Sequence, residues 1–92
     1  MYQYFEFSKL EENPLHGDIY IFEGDNVFSL YFVDTVFEDS IYFFGYPYKF
    51  KKAVPTLEDI NENLFNNNIH YIYGQSEIDR LVSENTIIKI YR

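Results

Sequence analysis

Two histidines and a set of acidic clusters are the residues whose types and spacing bear on chemistry. His16 stands two residues before Asp18, and an imidazole beside a carboxylate is the pairing of a general base or a metal ligand. His16 lies in a Pro/Gly turn, and nothing near it completes a triad or a ligand set, so a plain loop histidine is the expected role. His70 stands among Ile69, Tyr71 and Ile72 and reads as structural. Glu23-Gly24-Asp25-Asn26 lacks the alternating ligands and closing Glu of a calcium loop. GxGxxG, P-loop and HExxH patterns are absent. The lack of cysteine excludes a disulfide framework, thiolate zinc sites and a thiol nucleophile. A small hydrolase built on His16 and Asp18 is the remote reading. The expectation is a non-enzyme with no cofactor and no metal.

The acids are the unusual feature. Fifteen acidic residues against seven basic ones give a net charge of −8 over 92 residues. They gather as Glu11-Glu12, Glu23-x-Asp25, Glu38-Asp39 and Glu58-Asp59-x-x-Glu62, with Asp18 and Asp34 between. Residues 1–40 hold Lys9 as their sole base, whereas residues 41–57 hold no acid. Helical neighbours three or four apart lie about 5–6 Å from each other, and strand residues two apart about 6.6 Å. Such intervals resemble those between successive phosphates of a nucleic-acid strand. An ordinary soluble domain also carries about −2 to −8, so solubility alone is the plain alternative. Duplex DNA carries one charge per ~1.7 Å, while eight charges across a globule about 30 Å wide give roughly one per 4 Å. Mimicry of DNA therefore requires the acids to be gathered on one face, or doubled by a second copy.

Lys49, Lys51 and Lys52 alternate with Tyr46, Tyr48 and Phe50, a pattern that can stack and neutralise single-stranded nucleic acid. The acidic remainder of the chain opposes that use. A solvated edge that blocks strand-to-strand aggregation is the expected role, and no direct nucleic-acid binding is expected.

The elements that must position these groups follow from periodicity. Period-two runs predict strands at Tyr2–Phe7, Ile19–Phe22, Val27–Val33 and Ile41–Phe44. Glu23-Gly24-Asp25-Asn26 predicts a hairpin turn, and a second turn falls within residues 34–40. Ser8 with Glu11 predicts a cap on one short helical turn. Thr56 with Asp59 predicts the cap of a helix from Leu57 to about Phe65, ended by Asn66-Asn67-Asn68. A strand at Ile69–Tyr73, a helix capped by Ser76 and Asp79 that buries Ile78, Leu81 and Val82, and a strand at Thr86–Tyr91 complete the chain. The fold class is α+β: one small domain over residues 1–92, mainly antiparallel sheet with two or three short helices packed on one face. Its longest strongly apolar run, Ile41–Tyr48, is far short of a membrane span, so a soluble, cytoplasmic protein is expected.

The 92-residue length, the pI near 4.5, the cysteine-free Tyr/Phe/Ile/Asn-rich composition and the opening MYQYFEFSKLEEN carry a resemblance over the whole chain. The chain resembles the Arn family of early anti-restriction DNA mimics of T-even phages. That resemblance implies action in the host cytoplasm on a modified-cytosine restriction complex, and on a nucleoid protein such as H-NS, through a dimeric DNA-like surface. The expected function is a non-enzymatic inhibitor whose carboxylates replace phosphates. Glu11, Glu12, Asp18, Glu23, Asp25, Asp34, Glu38 and Asp39 are the first-choice contacts, and Glu58, Asp59 and Glu62 the second. Immunity-type or anti-CRISPR-type inhibition is the nearest relative of that reading. The alternative from another class is an interaction module held by aromatic contacts, its acidity serving only solubility. Twenty Tyr and Phe residues exceed what one small core hides, so a homodimer is expected, with Tyr46, Tyr48, Phe50 or the Tyr71/Tyr73 pair at its interface.

Overall fold

The computed structural model describes residues 13–92, and among these five strands and one α-helix carry the regular structure. The expected strand at Tyr2–Phe7, the Ser8/Glu11 cap and the contacts Glu11 and Glu12 lie outside the described residues.

β1 (Ile19–Gly24) and β2 (Val27–Phe37) form the expected hairpin. Asp25 and Asn26 take φ values of 54° and 61°, the left-handed pair whose twist matches that of the flanking strands. β3 (Ser40–Gly45) returns along β2 after a turn of only two residues, Glu38 and Asp39. β2 thus runs four residues past the expected end at Val33 and overhangs β1. A register shift between Val33 and Thr35 explains why the pattern failed there: one extra residue at Asp34 breaks the alternation on which the reading rests.

β4 (Asn66–Gly74) pairs antiparallel with β3. α1 (Gln75–Ser83) then leads across the sheet to β5 (Ile87–Tyr91), which pairs antiparallel with β1. The strand order is β4-β3-β2-β1-β5, so β4 and β5 are the outer strands among the described residues.

Both sheet faces are covered. On one, Tyr20, Phe22, Val33, Ile41, Phe43, Ile87 and Ile90 pack with Ile78 of α1, flanked by Leu81 and Val82. On the other, Ile19, Ile21, Phe28 and Leu30 pack with Ile60 and, at the margin, Phe50 and Phe65. The expectation of two or three helices on one face is therefore corrected: α1 covers one face and the segment 46–65 the other.

That segment is not the expected helix from Leu57 to Phe65. It forms two 3-10 turns, Leu57–Asp59 and Glu62–Leu64, separated by extended backbone at Ile60. Thr56 does open the first turn, its backbone N–H and hydroxyl donating to Asp59 Oδ2 at 2.8 and 3.0 Å. The Asn61 side chain then accepts from the Asn63 N–H, so a side chain captures the backbone group that a continuing helix would need. The cap of α1 also differs from expectation. Gly74 N–H donates to Glu77 Oε1 at 3.0 Å, while Asp79 accepts from the Gln75 side chain.

Candidate functional site

Strand β2 decides where the acids stand. Its eleven residues span about 33 Å at ~3.3 Å per step, matching the 33 Å long dimension of the molecule. Glu23 and Asp25 lie at one end of it, Glu38 and Asp39 at the other. The two acidic turns therefore form two separate clusters and no single band.

The three lysines join the first end. Phe50 exchanges backbone hydrogen bonds with Phe28, next to the β1–β2 turn, and this places Lys49 and Lys51 beside that turn. Lys49, Lys51 and Lys52 are all exposed.

The second end is acidic. Asp39 carbonyl accepts from Gln75 N–H at 2.7 Å, which ties the β2–β3 turn to the start of α1. A Cβ placed on Gly74 would lie 3.5 Å from Glu77 Oε1 and 3.9 Å from Asp39 O, so Glu77 joins Glu38 and Asp39. All three are exposed. Asp34 is half-buried on the same strand, one residue from the shift in pairing. Glu38 holds a φ of 56°, a conformation that glycine or asparagine adopts at lower cost.

Arg92 follows the close of β5, level with Val33 of β2, and its charge is spent. Its Nε and Nη2 donate to the two Asp18 carboxylate oxygens at 3.0 and 2.8 Å, and Nη2 also donates to the Asn13 carbonyl. Asp18 is 1% exposed and accepts as well from the Leu15 N–H. The bond to Asp18 is the main cause that raises the Arg92 pKa above its ordinary value. Asp18 is accordingly a buried structural anion and leaves the set of exposed contacts.

The remaining acids sit apart. Glu58, Asp59 and Glu62 are exposed on the 3-10 turns of the opposite layer. Asp59 is held below the usual carboxylate range by the Thr56 backbone N–H, then by the Thr56 hydroxyl. His16 does not face Asp18: its Nδ1 lies 2.6 Å from the Asp34 carbonyl and its ring packs edge-on to Phe32. His70 packs edge-on to Phe44. Among the described residues, no group of three or more His, Asp or Glu could hold a metal ion.

The aromatic candidates divide. Tyr46 packs against Phe50 and Phe65, its hydroxyl accepting from Asn61 N–H, and Tyr73 packs on Phe22 and Phe43. Tyr46, Phe50 and Tyr73 are thus largely spent within the chain, because the second covered face gives aromatics more room than a single core. Tyr48 and Tyr71 remain exposed, as do Phe37 and Ile72.

The grouping of Glu77 with Glu38 and Asp39 was missed in the sequence reading. Its local signal is the spacing Gly74-x-x-Glu77, which fits an N-cap two residues before Ser76. The Asp18–Arg92 pair has no local signal, since 74 residues separate the partners.

No protein-family model, curated protein or solved structure matches the chain.

Proposed function

We propose that this chain is a non-enzymatic inhibitor that presents carboxylates in place of phosphates to the basic nucleic-acid-binding site of a host protein. One observation carries the reading: charge is separated along the strand axis. Glu38, Asp39 and Glu77 lie at one end, while Lys49, Lys51 and Lys52 lie at the other, and the Arg92 charge between them is neutralised by Asp18. Exposed acids that form no ion pair among the described residues attract a basic groove and exclude DNA by occupying it. A DNA-binding restriction complex or a nucleoid protein in the host cytoplasm is the partner class to test first. The test is capture of a purified basic DNA-binding partner across a salt series, with competing duplex DNA. Mimicry requires binding that falls with salt and is mutually exclusive with DNA.

A second reading has its own observation. Phe37 and Ile72 are 63% and 60% exposed, large values for apolar residues in a sheet. An interaction module held by such contacts would bind its partner with little dependence on salt, and DNA would not compete.

A further inference from the structure

The layer formed by residues 46–65 covers only part of its sheet face. Phe44 pairs with Phe32, and Phe32 with Ile19, so Phe44 lies on the face of Ile19 and Leu30. Strand alternation puts Tyr42 and Ser40 on that face too, together with their partners Ile72 and Phe37. Phe37 and Ile72 stay largely exposed on either side of the half-buried Tyr42. These three residues form an apolar shelf. At its inner margin Phe44, Pro47, Leu64 and Phe65, with Asn63 and Asn66, line an open cleft of about 610 Å³. At its outer margin stands the turn Glu38-Asp39, which joins Phe37 to Ser40. β2, β3 and β4 contain no lysine or arginine.

We infer that this shelf docks a protein segment of mixed chemistry, in which apolar side chains settle on Phe37, Tyr42 and Ile72 while neighbouring Lys or Arg residues meet Glu38 and Asp39. The inference rests on the reading of the acidic end as the contact for a basic partner. Charge complementarity names the occupant. Acids border the shelf, and its floor holds no lysine or arginine to repel a cationic segment. A purely apolar segment leaves those acids without partners, and a bare polycation leaves the shelf in water. The two contacts divide the work, since charge attraction is screened by salt and apolar burial is not. The shelf also sets a spacing. Four strand steps separate Ser40 from Phe44, about 13 Å at ~3.3 Å each. An anchor that reaches the cleft beside Phe44 therefore lies about four residues from the cations if the segment is extended.

Two synthetic peptides of equal charge test this: a lysine cluster followed by an alternating leucine and threonine run, and the same peptide with serine in place of leucine. Fluorescence anisotropy measures their affinities for the full chain across a salt series. The leucine peptide is expected to bind about tenfold more tightly and to keep that advantage at high salt. Phe37→Thr with Ile72→Thr is expected to abolish the advantage and leave the salt slope, with an unchanged circular dichroism spectrum, because both positions are exposed. Glu38→Gln with Asp39→Asn is expected to flatten the slope and keep the advantage. Residues 1–12 or a second copy seated on the shelf would cancel the advantage, so equal affinities overturn the inference, as does an absence of binding by both peptides. An advantage that survives the double threonine variant overturns it too. Equal affinities that fall with salt leave the basic-partner reading standing, whereas leucine-peptide binding without salt dependence overturns both.

Discussion

Arg92 and Asp18, 74 residues apart, are joined by two hydrogen bonds of 3.0 and 2.8 Å, and the carboxylate is 1% exposed. The pair ties β5 to the segment that enters β1, and it neutralises the Arg92 charge within the chain. Removing the guanidinium alone leaves a buried anion without a partner, so Arg92→Ala should cost about 3 kcal/mol. Arg92→Ala with Asp18→Asn should recover part of that loss, because the amide carries no charge to strand. Urea unfolding of both variants measures the difference, and equal losses would show that the pair is not coupled.

The acidic end and the β1–β2 turn make opposite forecasts for binding. Glu38→Gln, Asp39→Asn and Glu77→Gln together should weaken capture of the basic partner and flatten its salt dependence. Glu23→Gln with Asp25→Asn should do much less, since Lys49 and Lys51 already dilute the field there. Glutamine at position 77 can still accept from Gly74 N–H, so the helix start survives. Equal effects of the two sets would remove the acidic end from the mechanism.

The two covered faces should each contribute to stability. Ile78→Ala removes a fully buried side chain between α1 and the sheet and should cost about 3 kcal/mol. Ile60→Ala should cost about 2 kcal/mol, with hydrogen exchange rising first in residues 55–65, since Ile60 anchors the 3-10 turns on the opposite face. Denaturant midpoints and exchange rates check both. A negligible cost at Ile60 would mean that its layer adds little.

Alkaline pH should unfold the protein through Tyr31. Burial, then the neighbouring Tyr73 and Tyr71, push its hydroxyl up to about 12 from an ordinary 10.0. Ionisation is disfavoured in the folded state, so the contribution is fully present below pH 10 and is lost as pH rises toward 12. Tyr31→Phe should flatten stability across that window, as followed by unfolding at fixed pH. A slope unchanged by the substitution would assign the alkaline transition to other groups.

Much of the sheet was legible because alternation is a local signal. The runs at Ile19–Phe22, Val27–Val33, Ile41–Phe44 and Ile69–Tyr73 all lie within strands, and Asp25-Asn26 turns as its residue types demand. Ile78, Leu81 and Val82 form the inward stripe of α1 as their spacing predicts. Local side chains already explain the failure at Leu57–Phe65: Thr56, Asp59, Asn61 and Asn63 offer the backbone hydrogen bonds that compete with a helix. Ile60 is instead buried in the cluster of Ile19, Ile21, Phe28 and Leu30, between the two 3-10 turns.

The amino-acid sequence by itself determined an acidic, cysteine-free α+β chain, its strand segments and the identity of its charged clusters. Those properties depend on composition and on intervals of a few residues. Only the tertiary structure decided which clusters meet. The length of β2 drove Glu23 and Asp25 away from Glu38 and Asp39, the α1 crossover brought Glu77 to the latter, and closure of β5 on β1 buried Asp18 against Arg92. Charges act through space, and the distances among these were set by strand order and register, which no short interval along the chain encodes.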